Sequence, residues 1–282
     1  MKLVQNIITR YYSLKIWLLA QFSPRSAASC SFQLFCTPFA GRNLPKSIPT
    51  HFSKAKPVEI TVAALRLHGW HWEQKNNFSK KILIVHGFNS YAFKFEPYAK
   101  DLYEKGYEVL AFDAPAHGSS EGKTITALLY RDMILTINNQ FGNLYGIMAH
   151  SLGGLAATLA AIQLPQLQKL VLIAPVTQTT TALESFSKLL QIPGKVVNEM
   201  VAMMETLANS SLKDFSVSNH IHFVACKTLW IHDEDDAICP IADVTPIMKA
   251  QPSHIQFTIS KGLGHNQIYR DKNIQQQIVN FL

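Results

Sequence analysis

Short aliphatic runs, separated by stretches of helical pattern, constrain this chain more than any other feature. Lys81–Val85, Tyr107–Phe112, Leu144–Ala149, Leu170–Ala174, Thr228–Ile231 and Ile255–Ile259 are brief and almost continuously apolar. Runs of that length and composition read as strands buried on both faces. Between them, residues 94–105, 124–140, 152–163, 241–250 and 271–281 read as helices. Strand and helix in alternation specify an α/β fold, a mostly parallel central sheet with helices on both faces. Ahead of these, Val58–Val62 and Ala64–Trp70 alternate loosely and are expected to open the sheet as an antiparallel pair.

One connection breaks the rhythm. About fifty residues separate Ala174 from Lys227, far more than a crossover needs, and they carry apolar positions at helical spacing. We expect a helical cap at residues 176–222, inserted after the strand that follows the 152–163 helix. Met200, Met203 and Met204 within it read as packing, with an adaptable acyl-binding surface as the alternative. A chain of 282 residues is long enough for one large core. The expected division is residues 1–56 as an N-terminal appendage and 57–282 as the α/β domain.

The appendage accounts for the charge. The formal net charge is +7, yet residues 1–56 hold Lys2, Arg10, Lys15, Arg25, Arg42, Lys46, Lys54 and Lys56 with no acidic residue. The remainder has 26 − 8 = 18 basic and 19 acidic residues, so the domain itself is near neutral. Such a distribution argues against a nucleic-acid-binding domain, and no base-reading motif accompanies it. Val4, Ile7, Ile8, Tyr11, Leu14 and Leu18 fall on one helical stripe. We expect that stripe to pack against the domain, with peripheral contact with a membrane surface as the alternative. As an export signal the segment has a short, late apolar core, Ile16–Ala20, followed by Arg25. The lipoprotein-like Ala27-Ala28-Ser29-Cys30 lacks its large aliphatic residue. A cytoplasmic location is therefore expected. Cys30, Cys36, Cys226 and Cys239 have no metal-ligand spacing, and no metal is expected.

The chemistry centres on Ser151, which stands between the Leu144–Ala149 run and a helix rich in small residues. A serine at so tight a strand-to-helix junction sits in a strained turn, where bulky neighbours two residues away would clash. Here those neighbours are Ala149 and Gly153. The structural alternative is a serine that merely caps the helix. A nucleophilic serine needs a base and an orienting acid. His265, in Gly262-Leu263-Gly264-His265, follows the last expected strand in a loop. The acid should follow the strand before it, where Asp233, Glu234, Asp235 and Asp236 cluster. Asp236 is the choice, with Asp235 and Asp233 as alternatives; the run lacks the ligand spacing of a calcium loop. Backbone amides of Leu152 and Phe88 are candidates to bind a developing oxyanion, with Gly87 permitting the turn. His86 reads as a buried hydrogen-bonding residue.

Taken together, His86-Gly87-Phe88, Asp113-Ala114-Pro115-Ala116-His117-Gly118-Ser119-Ser120, Ala149-His150-Ser151-Leu152-Gly153-Gly154, His232–Pro240 and Gly264-His265 resemble the α/β-hydrolase-fold serine hydrolases. The resemblance covers roughly residues 57–282, in the family's order Ser, Asp, His. It implies supporting roles for His86, Gly87, Asp113, His117, His150 and Gly153. Ala149 and Ala116 stand where the family has glycine, as does Asp233 after His232.

The expected activity is cofactor-independent hydrolysis of an ester or related acyl bond of a small molecule through an acyl-enzyme. A membrane-associated lipid hydrolase, a peptidase and a thioesterase are alternatives within the fold. A non-catalytic ligand-binding homologue is the alternative outside it, and it would be expected to lack one of the three residue types. A dehalogenase would need a carboxylate at position 151.

Overall fold

The computed structural model describes residues 2–39, 47–75, 79–213 and 215–282, with side chains from Asn6 onward; Arg42, Lys46 and the side chains of Lys2 and Val4 lie outside it. The helices are α1 (Lys2–Phe22), α2 (Pro24–Phe35), α3 (Glu96–Glu104), α4 (Ala127–Phe141), α5 (Leu152–Ala161), α6 (Thr179–Leu190), α7 (Gly194–Ala208), α8 (Val217–His220), α9 (Ile241–Ala250), α10 (Gly264–Gln267) and α11 (Lys272–Phe281). The strands are β1 (Lys56–Val62), β2 (Leu65–Trp72), β3 (Lys81–Val85), β4 (Glu108–Phe112), β5 (Leu144–His150), β6 (Lys169–Ile173), β7 (Lys227–Asp233) and β8 (Ile255–Ser260). They fall into two compact units, Pro38–Thr177 with Val217–Leu282, and Met1–Thr37 with Gln178–Ser216.

The larger unit holds a sheet of eight strands in the order β1-β2-β4-β3-β5-β6-β7-β8. β2 pairs antiparallel with β1 and β4, and every other pairing is parallel. Alternate residues of the central strands, Ile82, Ile84, Val109, Ala111, Val171 and Ile173, join α3 and α11 in one core cluster. Their neighbours Leu83, Leu110, Ile147 and Leu172 are buried as well, which is why these strands read as unbroken apolar runs. α5 carries no polar face because Gly153 through Ala161 are all buried.

The N-terminal segment departs from the expectation in two ways. It forms two helices: the side chain of Ser23 accepts from the Ser26 amide at 3.1 Å, and Pro24 opens α2. The expected packing face of α1 is also its solvent face. Ile7, Ile8, Tyr11, Leu14 and Leu18 are exposed, whereas Ile16 and Ala20 on the opposite side are buried. Those two join Ala27 and Ala28 of α2, Leu183 and Leu190 of α6, and Val196 and Met200 of α7 in the core of the smaller unit. Met203 and Met204 pack against that cluster, so the methionine stripe is part of its packing.

Residues just before β1 belong instead to the sheet unit. The Phe52 ring meets Trp70, Trp72 and Phe93 at centroid distances of 5.2, 4.8 and 4.7 Å. Trp72 Nε1 donates to the His51 carbonyl at 3.2 Å. This edge-on cluster fixes the start of the sheet. Phe52→Ala is expected to lower the stability of the sheet unit by about 3–5 kcal/mol, read as a shift in the urea midpoint. A loss under about 1 kcal/mol would mean that the cluster adds little beyond area.

Candidate active site

β5 runs straight into α5 through Ser151, whose backbone lies at φ 55° and ψ −123°. A non-glycine residue held there costs on the order of 1–3 kcal/mol, and three backbone bonds secure it. Ser151 N–H donates to Ile173 O at 3.0 Å, while its carbonyl accepts from Gly154 at 2.9 Å and Val176 at 3.1 Å. Space is tight around this turn. A Cβ on Gly153 would stand 2.5 Å from the His86 carbonyl oxygen, and one on Gly87 would stand 2.9 Å from the Ser151 Cβ. The loop after β3 therefore passes directly against Ser151.

The structure brings Ser151, His265 and Asp236 into one hydrogen-bonded line. His265 Nε2 lies 2.9 Å from Ser151 Oγ, and Nδ1 lies 2.7 Å from Asp236 Oδ2. Because the carboxylate can only accept, Nδ1 carries the proton and Nε2 is free to accept from the hydroxyl. The other Asp236 oxygen accepts from the amides of Ile238 and Cys239, both at 2.8 Å. Burial works to raise the Asp236 pKa, but the His265 bond and charge and the two amides outweigh it, leaving it below the ordinary carboxylate value. All three side chains are buried.

The alternative acids are engaged elsewhere. Asp233 accepts from the Asp235 amide at 3.0 Å, Ser260 Oγ at 2.7 Å and the Leu263 amide at 3.1 Å. Asp235 Oδ2 accepts from the Gly262 amide at 3.0 Å. These bonds tie the loop after β7 to the loop after β8, which delivers His265. His265 itself lies in the single-turn helix α10 and not in the open loop expected.

The remaining residues form the underlay. His86 accepts from the Ala114 amide through Nε2 at 2.9 Å and so donates from Nδ1 to the Gly87 carbonyl at 2.8 Å. Asp113 takes the Ala92 amide at 2.9 Å and the Ser119 amide at 3.0 Å. His117 accepts from the Asn89 amide at 3.2 Å and donates to Pro115 O at 2.9 Å. His150 donates from Nε2 to the backbone carbonyl of His265 at 3.1 Å, with the two rings 4.9 Å apart. Thus the residue before the serine holds the backbone of the histidine. No acceptor for the Phe88 or Leu152 amide is found among the described residues.

Three further side chains support the site, of which only His232, in the His232–Pro240 stretch, is marked in the sequence. His232 donates to the Cys239 carbonyl at 2.7 Å beneath Asp236, Ser260 caps Asp233, and Tyr269 packs its ring 4.7 Å from that of His150. The position of His232 at the end of an apolar strand was the available signal; nothing local marked Ser260 or Tyr269. Among the described residues, the one group with metal-ligand proximity is Asp236, Cys239 and His265. Two of its three members are already bonded to each other through Nδ1–H.

Burial holds His150 neutral, with its pKa lowered to about 3, and burial pushes His86 and His232 down as well. Below about pH 6.5 the unfolded chain binds protons that these rings refuse. Stability is therefore full above that pH and is lost as pH falls, by up to about 1.4 kcal/mol per pH unit for each ring. Denaturant midpoints between pH 7 and pH 5, above the titration of ordinary carboxylates, should decline, and His150→Gln should flatten the slope. A flat wild-type profile would show that these rings take up protons in the folded state.

Residues 76–222 match the family described as serine aminopeptidase, S33. No curated protein sequence matches the chain. Among solved structures, an esterase of Pyrococcus furiosus is similar with TM-score 0.65 and 19% identity, over 88% of this chain and 96% of that one. A predicted hydrolase of Thermoplasma acidophilum gives TM-score 0.58 and 18% identity, over 80% and 97%. A bacterial membrane phospholipase A gives TM-score 0.60 and 15% identity, over 100% and 98%. At these identities the structures establish the fold, and the sequence match establishes the family. The chain belongs to the serine aminopeptidase S33 family and is an α/β-hydrolase-fold hydrolase.

Proposed function

We propose that the protein is a serine hydrolase that cleaves an ester or related acyl bond through an acyl-enzyme. The observation that carries this reading is the unbroken line Ser151 Oγ–His265–Asp236, with the serine strained at the head of α5. In the first half-reaction, Ser151 Oγ attacks the carbonyl carbon while its proton passes to His265 Nε2. Asp236 stays ionised and steadies the imidazolium it faces. The amides of Phe88 and Leu152 receive the oxyanion. The intermediate collapses, the leaving group takes the proton from His265, and the acyl group remains on Ser151. Water then attacks that ester, gives its proton to His265, and the acid departs as Ser151 regains its hydrogen. Each turnover consumes one water, and the residues named need no cofactor for it.

The similar esterase and phospholipase favour an oxygen ester, while the family description favours a peptide bond at an amino terminus. We read the site as an esterase, and a p-nitrophenyl ester against an aminoacyl-naphthylamide separates the two. The test of the nucleophile is labelling by a fluorophosphonate probe. Labelling should vanish in Ser151→Ala and fall sharply in His265→Ala. Ester turnover in Asp236→Asn should drop on the order of 10³- to 10⁴-fold. A folded wild-type protein that takes no label would point to the ligand-binding alternative. Faster cleavage of the naphthylamide than of the ester would point to a peptidase.

Gly87→Ala should weaken labelling without preventing folding, because the new methyl presses on Ser151 and on His150 Nδ1, 2.9 and 2.7 Å away. Undiminished labelling in that variant would show that the loop after β3 yields easily.

A further inference from the structure

We propose that α1 is an interfacial helix that seats its outer face in the surface of an anionic bilayer. Helical spacing places Ile7, Tyr11, Leu14, Leu18 and Phe22 on one stripe. All five are exposed, from 46% at Leu18 to 89% at Phe22. Ile16 and Ala20 on the opposite side are buried in the core of the same unit. α1 thus spends one apolar face on its own unit and leaves a second unsealed. A continuous exposed stripe of large apolar side chains marks a contact surface.

The charges identify what covers it. Arg10 lies along one flank of the stripe and Lys15 along the other, both exposed, and no acidic residue occurs in the first 56 positions. Cations bordering an apolar strip, with Tyr11 and Trp17 beside them, match lipid headgroups above acyl chains. A second copy fits poorly, because pairing two such faces would bring like charges together with no acid on α1 to offset them. Among the described residues no helix is long and apolar enough to cross a membrane, so the seat lies in the plane of the surface. The inference is independent of the activity proposed above.

The experiment is sedimentation of the full chain with vesicles of phosphatidylcholine alone, or with about one third phosphatidylglycerol. Binding is expected to the anionic vesicles and to be released as salt rises from about 0.1 to about 0.5 M. Each cation near such a surface is worth about fivefold in partitioning, so Arg10→Gln with Lys15→Gln should weaken binding about 25-fold. Leu14→Ser with Leu18→Ser, on the solvent side of a folded unit, should abolish it with circular dichroism unchanged. Trp17 is the one exposed tryptophan beside buried Trp70, Trp72 and Trp230, so a blue shift in emission should be absent from Trp17→Phe. No binding, equal binding to neutral vesicles, or binding that survives Leu14→Ser with Leu18→Ser would overturn the proposal. A lipid-free dimer dissolved by those two substitutions, without vesicle binding, would assign the stripe to a second copy.

Discussion

The turn at Ser151 is the constraint around which the sheet unit is arranged. A parallel strand and the helix that follows it are joined there by one residue in a conformation that an L-amino acid adopts only under compulsion. The compulsion comes from neighbours distant in sequence. Ile173 at the end of β6 receives the serine amide, and Val176 just beyond it grips the serine carbonyl. Gly153 lets α5 start against the His86 carbonyl, and Gly87 lets the loop after β3 pass over the serine. Strain in one residue is thus held by three segments, and the same contacts that hold it position the reactive oxygen.

Around that turn the protein uses neutral histidines where a polar but uncharged ring is needed. His86, His117 and His150 each donate from one nitrogen to a carbonyl, which fixes the tautomer without a charge. An ionised partner in such a dry setting would need a counter-charge. A neutral imidazole needs only a carbonyl, and the ends of parallel strands supply many. Buried carboxylates are held by donors instead, Asp113 by two amides, Asp233 by two amides and the Ser260 hydroxyl, and Asp236 by two amides and the His265 ring.

Much of this architecture is legible in the sequence because its period is distinctive. Two-sided burial makes β3, β5 and β6 read as short apolar runs, and Ser151 sits at an abrupt change from strand to helix pattern. The line from Asp236 through His265 follows from loop positions at the ends of β7 and β8. What stayed hidden has a common physical origin. α1 is apolar on both faces, so periodicity locates a helix yet does not say whether Leu14 or Ile16 faces inward; packing with α2, α6 and α7 decides it. The break at Ser23-Pro24 was written in capping residues but lay in a segment read as one appendage. Tyr269 and Ser260 act through partners far along the chain, Ser260 on Asp233 and Tyr269 against His150, and no local pattern announces such contacts.

Asp233 and Asp235 carry a consequence beyond bonding. By stitching the Leu263 and Gly262 amides to the end of β7, they make two loops from different strands into a single mechanical part. That part carries both Asp236 and His265. A shift in either loop therefore moves acid and base together and preserves their separation, and it reaches Ser151 through the His150–His265 bond. The serine is anchored to β6 through its own backbone, and the ring beside it, His150, carries the bond that crosses to the histidine. Sequence drift in the outer loops would therefore be felt as tension on that one ring rather than as a broken acid–base pair.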